Sequence, residues 1–268
     1  MNAVTTEQKI YYTLLIASAM CFIGHGAFGV ITKTIWCNYF AVFGIGHDMA
    51  YQLMPILGSV DILMGLSVLF YPSKVVLIWL VVWGLITAAL RPLSGEPIAE
   101  FLERAGNFGA PLVLLLLCNT QKNVSYGFQL IKPSSTVSKR RMNQLQACLK
   151  LIVFLLLAGH GWLNLIGKKS LLGQYTSLGF SNVYMVSHIA GLIEIGMALL
   201  VLIKPLRQLL LIFLVWKICT ELFYPHDEVF EWIERGGSYG TLLALWLTLD
   251  SSGSVNRKKE YKITIVSG

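Results

Sequence analysis

The sequence predicts an all-α integral membrane protein of eight transmembrane helices, built as two parallel four-helix repeats related by a pseudo-two-fold axis along the membrane normal. Three observations predict it. Hydrophobic residues make up 55% of the chain and charged residues 13%, where a soluble globular domain carries about a quarter charged residues. The charges are clumped, leaving long uncharged runs of the about 20 mostly apolar residues that a bilayer-spanning helix needs. The two halves also carry the same unusual polar residues in the same order, which is the signature of an internal repeat.

The expected spans are 10–31, 50–70, 74–91, 105–119, 147–166, 184–203, 206–223 and 237–250. The first is longer than a signal-peptide core and lacks a small-residue cleavage site, so it is read as a retained span. YPSK (Tyr71 to Lys74) and IKP (Ile203 to Pro205) separate neighbouring spans, each marked by proline. The fourth and eighth are short and gain length from the amphipathic stretches before them. Four units result: a first repeat over 1–120, a basic linker over 121–146 containing KPSSTVSKRR, a second repeat over 147–250 and a basic tail over 251–268. Cys21, Cys37, Cys118, Cys148 and Cys219 show no C-x-x-C spacing. Their odd number argues against a disulfide framework.

The repeat is read residue against residue. GHGAFG, from Gly24, matches GHGWLN, from Gly159; GSVDILMGLSVLF matches GLIEIGMALLVLI, setting Asp61 opposite Glu194; Trp83 matches Trp216. FLERAGNFGAPLVLLLL matches WIERGGSYGTLLALWL, setting Glu103-Arg104 opposite Glu234-Arg235 and Gly106 opposite Gly237. An even number of spans per repeat brings both halves into the membrane from the same side, so equivalent residues lie at equal depth.

Basic residues gather at one set of span ends, from Lys9 and Lys74 through Lys139, Arg140 and Arg141 to Lys204, Arg207 and the tail. The acids Asp48, Glu96, Glu100, Glu103, Asp227, Glu228, Glu231 and Glu234 gather at the other. Short basic loops mark the cytoplasmic side, so both termini are expected there. The tail is short and has no interleaved aromatics, which argues against nucleic acid as a partner; the expected partners are the lipid bilayer and a small solute, with the oligomeric state left open. His25 and His160 then fall in the outer parts of spans one and five, and Asp61 and Glu194 nearer mid-membrane.

Ionisable residues inside spans usually face a bundle interior or a wet cavity, and flanking glycines let backbones approach closely. Three readings of the polar set stay open. In the first, each histidine anchors helix packing through an acid or carbonyl of its own repeat. In the second, His25 with Asp61 and His160 with Glu194 form a proton or solute site that opens outward, since histidine titrates near neutral pH. Lys217 has Gly84 at its place in the first repeat, and with Glu221 one helical turn away it leaves Asp61 as the freer acid. In the third, His25 and His160 ligate a haem iron as axial imidazoles; otherwise no cofactor is expected. A zinc site at His226, Asp227 and Glu228 lacks the H-E-x-x-H arrangement.

The outer segments Arg91 to Asn107 and Tyr224 to Ser238 carry a second motif, E-R-x-G. The second of these reads as a short amphipathic helix at the interface, with Trp232 and Phe101 suited to that depth. Glu103, Arg104, Glu234 and Arg235 are expected either to form exposed ion pairs or to close each bundle over its own histidine. Arg91, Asn107 and Ser238 would add polar contacts. No Ser-His-Asp order, G-x-S-x-G or Walker-type loop occurs, so no catalytic residue is assigned.

A four-span module with a glycine-rich polar motif in its first helix and an amphipathic outer segment before its last resembles the DoxX-like group of small bacterial membrane proteins, here in tandem. The resemblance covers both repeats and rests on layout. It implies a bacterial inner-membrane location and, through members tied to membrane redox chemistry, a haem or quinone alternative for His25 and His160.

Overall fold

The computed structural model describes residues 4–118, 127–133, 136–222 and 230–249, and all regular structure among them is helical. Helix α1 (Thr6–Val30) starts at Thr5, whose hydroxyl accepts the Gln8 N–H while the Gln8 side chain accepts the Thr5 N–H, a reciprocal cap that satisfies two otherwise unpaired donors. Short α2 (Trp36–Ala41) leads to α3 (His47–Phe70) and α4 (Lys74–Leu93), the latter capped by Ser73. Helices α5 (Ile98–Glu103) and α6 (Ala105–Cys118) form one apolar rod broken by a turn at Arg104. The second half follows as α7 (Lys139–Leu165), α8 (Lys169–Ser177), α9 (Val183–Ile203), α10 (Arg207–Glu221) and α11 (Glu231–Glu234), then α12 over 236–249 after a turn at Arg235.

Among the described residues six helical segments are long and apolar enough to cross a membrane: α1, α3, α4, the α5–α6 rod, α7 and α9. The rod begins at Ile98, so the amphipathic stretch does extend the fourth span. Helix α10 has 15 residues, about 22 Å at 1.5 Å per residue, short of the about 30 Å hydrocarbon core. Residues 223–229 and 250–268, which follow α10 and α12, lie outside the described range. Helix α7 corrects the expected linker: the Ser138 hydroxyl accepts the Arg141 N–H, so the helix starts eight residues before the expected span, inside the basic stretch.

One core crosses both halves. Leu14 and Phe22 of α1, Leu114 of α6, Leu149 and Leu156 of α7, and Leu242 and Leu245 of α12 are all buried within it. Helices α3, α4, α9 and α10 flank this centre and turn apolar side chains such as Ile56, Leu63, Trp79, Leu192 and Ile212 outward. Apolar surface on that scale suits lipid tails and would be an association hazard in water. The five cysteines are free thiols.

Candidate functional site

The G-H-G tripeptides are explained by backbone contact on both sides of each histidine. A Cβ at Gly24 would strike the backbone nitrogen of Glu234, and one at Gly26 the carbonyl oxygen of Gly58. In the second half a Cβ at Gly159 would strike the backbone nitrogen of Glu103, and one at Gly161 would lie 2.9 Å from the carbonyl oxygen of Gly191. The first glycine of each motif therefore admits the E-R segment, and the second admits the flanking helix that bears an acid. The histidine between them is left facing two carboxylates.

His25 Nδ1 lies 3.1 Å from Glu234 Oε1, and its Nε2 lies 3.8 Å from Asp61 Oδ2. The imidazole leans on the Trp36 ring, with centroids 4.8 Å apart. Asp61, 1% exposed, accepts a 2.7 Å hydrogen bond from Trp83 Nε1 at Oδ1. Its other oxygen, Oδ2, is buried and has no hydrogen-bond partner among the described residues. An unsatisfied buried acceptor costs about 1–3 kcal/mol, so its persistence calls for an explanation.

The second cluster is more fully bonded at its acid, although His160 Nε2 is buried without a hydrogen-bond partner among the described residues. His160 Nδ1 lies 2.6 Å from Glu194 Oε2, and Nε2 lies 3.7 Å from Glu103 Oε1. Asn164 donates to Glu194 Oε2 at 3.0 Å, and its Oδ1 accepts from the Tyr175 and Ser187 hydroxyls at 2.9 and 3.2 Å. Gln174 donates to the Thr220 carbonyl at 2.8 Å, fastening α8 to α10. Lys217 and Glu221, both buried, pair at 2.8 Å, and the Tyr239 hydroxyl donates to Glu221.

The E-R segments correct the sequence reading twice. They are buried, with Glu103 and Glu234 each 4% exposed, and they cross over: Glu234 reaches the first half's histidine and Glu103 the second half's. Gly106 and Gly237 meet backbone to backbone at the crossing. There Arg235 binds Glu103 at 2.8 Å and approaches Glu221 at 3.5 Å, while Arg104 binds Glu100 at 2.6 Å and Glu103 at 3.3 Å. Lys168 binds Glu100 at 2.8 Å. Asn107 and Ser238 line the small cavity beside these groups. Burial alone would raise the Glu234 carboxyl. The His25 hydrogen bond and the charges of His25, Arg104 and Arg91 outweigh it and hold the group below the usual carboxylate range.

Two apolar cavities flank the clusters. One of about 300 Å³ lies among α1–α4, lined by His25, Asp61, Trp36, Tyr39, Trp83 and Arg91 among others. The other, about 480 Å³, runs along α9 and α10 past Glu194 and Trp216. His25 lines the first; His160 does not line the second. A polar cavity of about 240 Å³ shares Trp36 and Arg91 with the first and continues to Arg104, Lys168 and Glu234.

The sequence-predicted residues thus gather into two histidine clusters joined by the E-R crossing. Lys217 and Glu221 sit on the side of the second. Missed by sequence reasoning were Asn164, Tyr175, Ser187, Lys168 and the Trp36–Tyr39 wall; Asn164 alone carried a signal, as the last residue of GHGWLN. His226, Asp227 and Glu228 lie outside the described residues, and among those described no group of three or more side chains is arranged to hold a metal ion. Comparison with protein-family models, with curated proteins and with solved structures returned no match.

Proposed function

We propose that this chain is a duplicated eight-span protein of a bacterial inner membrane, DoxX-like in layout, with cytoplasmic termini, and that it binds a small solute in the His25–Asp61 cavity and passes it, or a proton, to the outer side. One observation carries the solute reading: Asp61, one of whose carboxylate oxygens is buried without a hydrogen-bond partner among the described residues, lines a cavity large enough for a small molecule. Ligand sites are mostly apolar hollows with few, convergent polar groups, which describes this one. The matched glycine contacts around His25 and His160 support the duplication. Orientation rests on the basic residues of the loops.

The His160 cluster fits the packing role, since Glu194, Asn164, Tyr175 and Ser187 satisfy one another. Axial haem ligation by His25 and His160 finds little support, because each ring lies between two carboxylates and would have to give up one of those contacts to reach iron.

The test is ligand-detected NMR with small aromatic probes on the protein in phosphatidylcholine nanodiscs, set against Leu57→Trp, which fills the cavity. Saturable binding lost in Leu57→Trp is expected. Equal signals from the two proteins, for every probe, would sink the reading.

A further inference from the structure

We infer that the solute of the His25 cavity is a protonated amine carrying an apolar or aromatic body. The inference rests on the binding reading above and adds the chemical class. The cavity wall presents five aromatic rings, Trp36, Tyr39, Phe40, Phe43 and Trp83, together with the Asp61 carboxylate. Ring faces attract cations through their quadrupoles, most strongly where water is excluded. The partnerless oxygen is an acceptor, so the group that completes the site is a donor. A donor that is also a cation forms the stronger, charge-assisted bond and offsets the cost of a buried carboxylate.

The other polar groups of the wall agree with this. Among the described residues Arg91 is the only arginine or lysine lining the cavity, and it is already engaged: it lies 3.6 Å from Glu96 and over the Tyr39 ring at 4.7 Å, while the Tyr39 hydroxyl donates to Glu96. Its charge is locally balanced, so among the described residues no unpaired arginine or lysine stands in the wall to draw an anion past Asp61. His25 is held from behind by Glu234 at 3.1 Å. Its other nitrogen stands 3.8 Å from Asp61 Oδ2, too far to hydrogen-bond and near enough to be displaced from that oxygen by an incoming ammonium group. Trp83 holds the carboxylate by its first oxygen, which leaves the second as the one without a partner.

The second half shows what removes such a site. Glu194, one methylene longer, reaches its histidine at 2.6 Å and also takes the Asn164 amide. Glu194 Oε2 is thereby occupied, and among the described residues the cavity beside it has no histidine in its wall.

Three probes of one shape decide the class: phenethylammonium, 2-phenylethanol and phenylacetate, titrated against the nanodisc-embedded protein by ligand-detected NMR. Phenethylammonium is expected to bind about tenfold or more tightly than 2-phenylethanol, the difference between a charge-assisted and a neutral hydrogen bond, with phenylacetate weakest. In Asp61→Asn, which keeps the acceptor for Trp83, the ammonium probe is expected to fall to the level of the alcohol. Should the alcohol or the carboxylate match the ammonium in the unaltered protein, or the preference survive in Asp61→Asn, the amine class is wrong while the cavity remains a binding site. Failure of all three probes to bind beyond Leu57→Trp would overturn the binding reading itself, and the amine with it.

Discussion

The two histidine clusters are built from matching residues and do different things with them. Each histidine lies between an acid from its own half and an acid from the other. At His160 the closer acid is its own, Glu194 at 2.6 Å, with Glu103 at 3.7 Å. At His25 the closer acid comes from across the molecule, Glu234 at 3.1 Å, and Asp61 stands back at 3.8 Å. Two substitutions account for much of this. The shorter Asp61 turns to Trp83 instead of the imidazole. Gly29 holds the place of Asn164, so the amide that clamps Glu194, Tyr175 and Ser187 together has no counterpart. One cluster, the brace, binds its own acid at Glu194 Oε2 and leaves only an imidazole nitrogen, His160 Nε2, without a partner among the described residues, while the other leaves a carboxylate oxygen, Asp61 Oδ2, without one.

The largest expected effect tests the brace. Glu103 contacts His160, Arg104, Lys168 and Arg235, and Glu103→Gln leaves the buried Arg235 and the half-buried Arg104 and Lys168 short of a partner. Breaking one side of a buried ion pair costs about 3–5 kcal/mol, read as a fall in the thermal unfolding temperature in detergent. A neutral result would mean that the E-R crossing does not hold the halves together. Next come Gly24→Ala and Gly159→Ala, each expected to cost about 1–3 kcal/mol by overpacking, because the atoms in the way are backbone and cannot swing aside. Comparable losses are expected at both positions. A large loss at one alone would break the equivalence of the two contacts.

Acid titration distinguishes Glu234 from solvated carboxylates. Its folded-state group is held below the ordinary value despite the burial that would raise it, so the unfolded chain takes up the proton first. The stabilisation is therefore complete above the unfolded carboxyl value of about 4.3 and fades as pH falls from there toward the folded value. Unfolding of the unaltered protein and Glu234→Gln, compared from neutral pH downward, should show a stability gap of about 3 kcal/mol at neutrality that closes in acid. A gap of constant size would show that the Glu234 charge contributes nothing.

The apolar background made much of this legible. A histidine between two glycines inside a hydrophobic run is conspicuous, and so are Asp61 and Glu194, because each needs a partner where none is adjacent. Their partners were harder to read. Chain order suggests that an E-R segment serves the histidine of its own half, whereas His25 meets Glu234 at a separation of 209 residues. Only packing of α1 against α11 sets that pairing, and periodicity within one helix does not encode which of two equivalent segments it meets. Asn164 stayed hidden for a related reason: a residue that breaks the repeat reads as divergence until its four hydrogen-bond partners, His160, Glu194, Tyr175 and Ser187, are seen together. The early start of α7 was legible in principle from Ser138, a good N-cap, but the basic residues after it read as solvated chain.

The smallest expected effect on stability separates the clusters most sharply. Asp61→Asn preserves an oxygen for the Trp83 indole and removes a charge whose second oxygen makes no hydrogen bond. The attraction to His25 across 3.8 Å is lost, but so is the cost of burying an anion, and the two terms oppose each other. A change within about 1 kcal/mol of the unaltered protein is expected, measured by the same thermal unfolding used for Glu103→Gln. Glu194→Gln, by contrast, withdraws the acid that His160 and Asn164 share and should cost several times more. If Asp61→Asn proves as damaging as Glu194→Gln, Asp61 is a second brace, and the vacant oxygen belongs to packing rather than to a ligand.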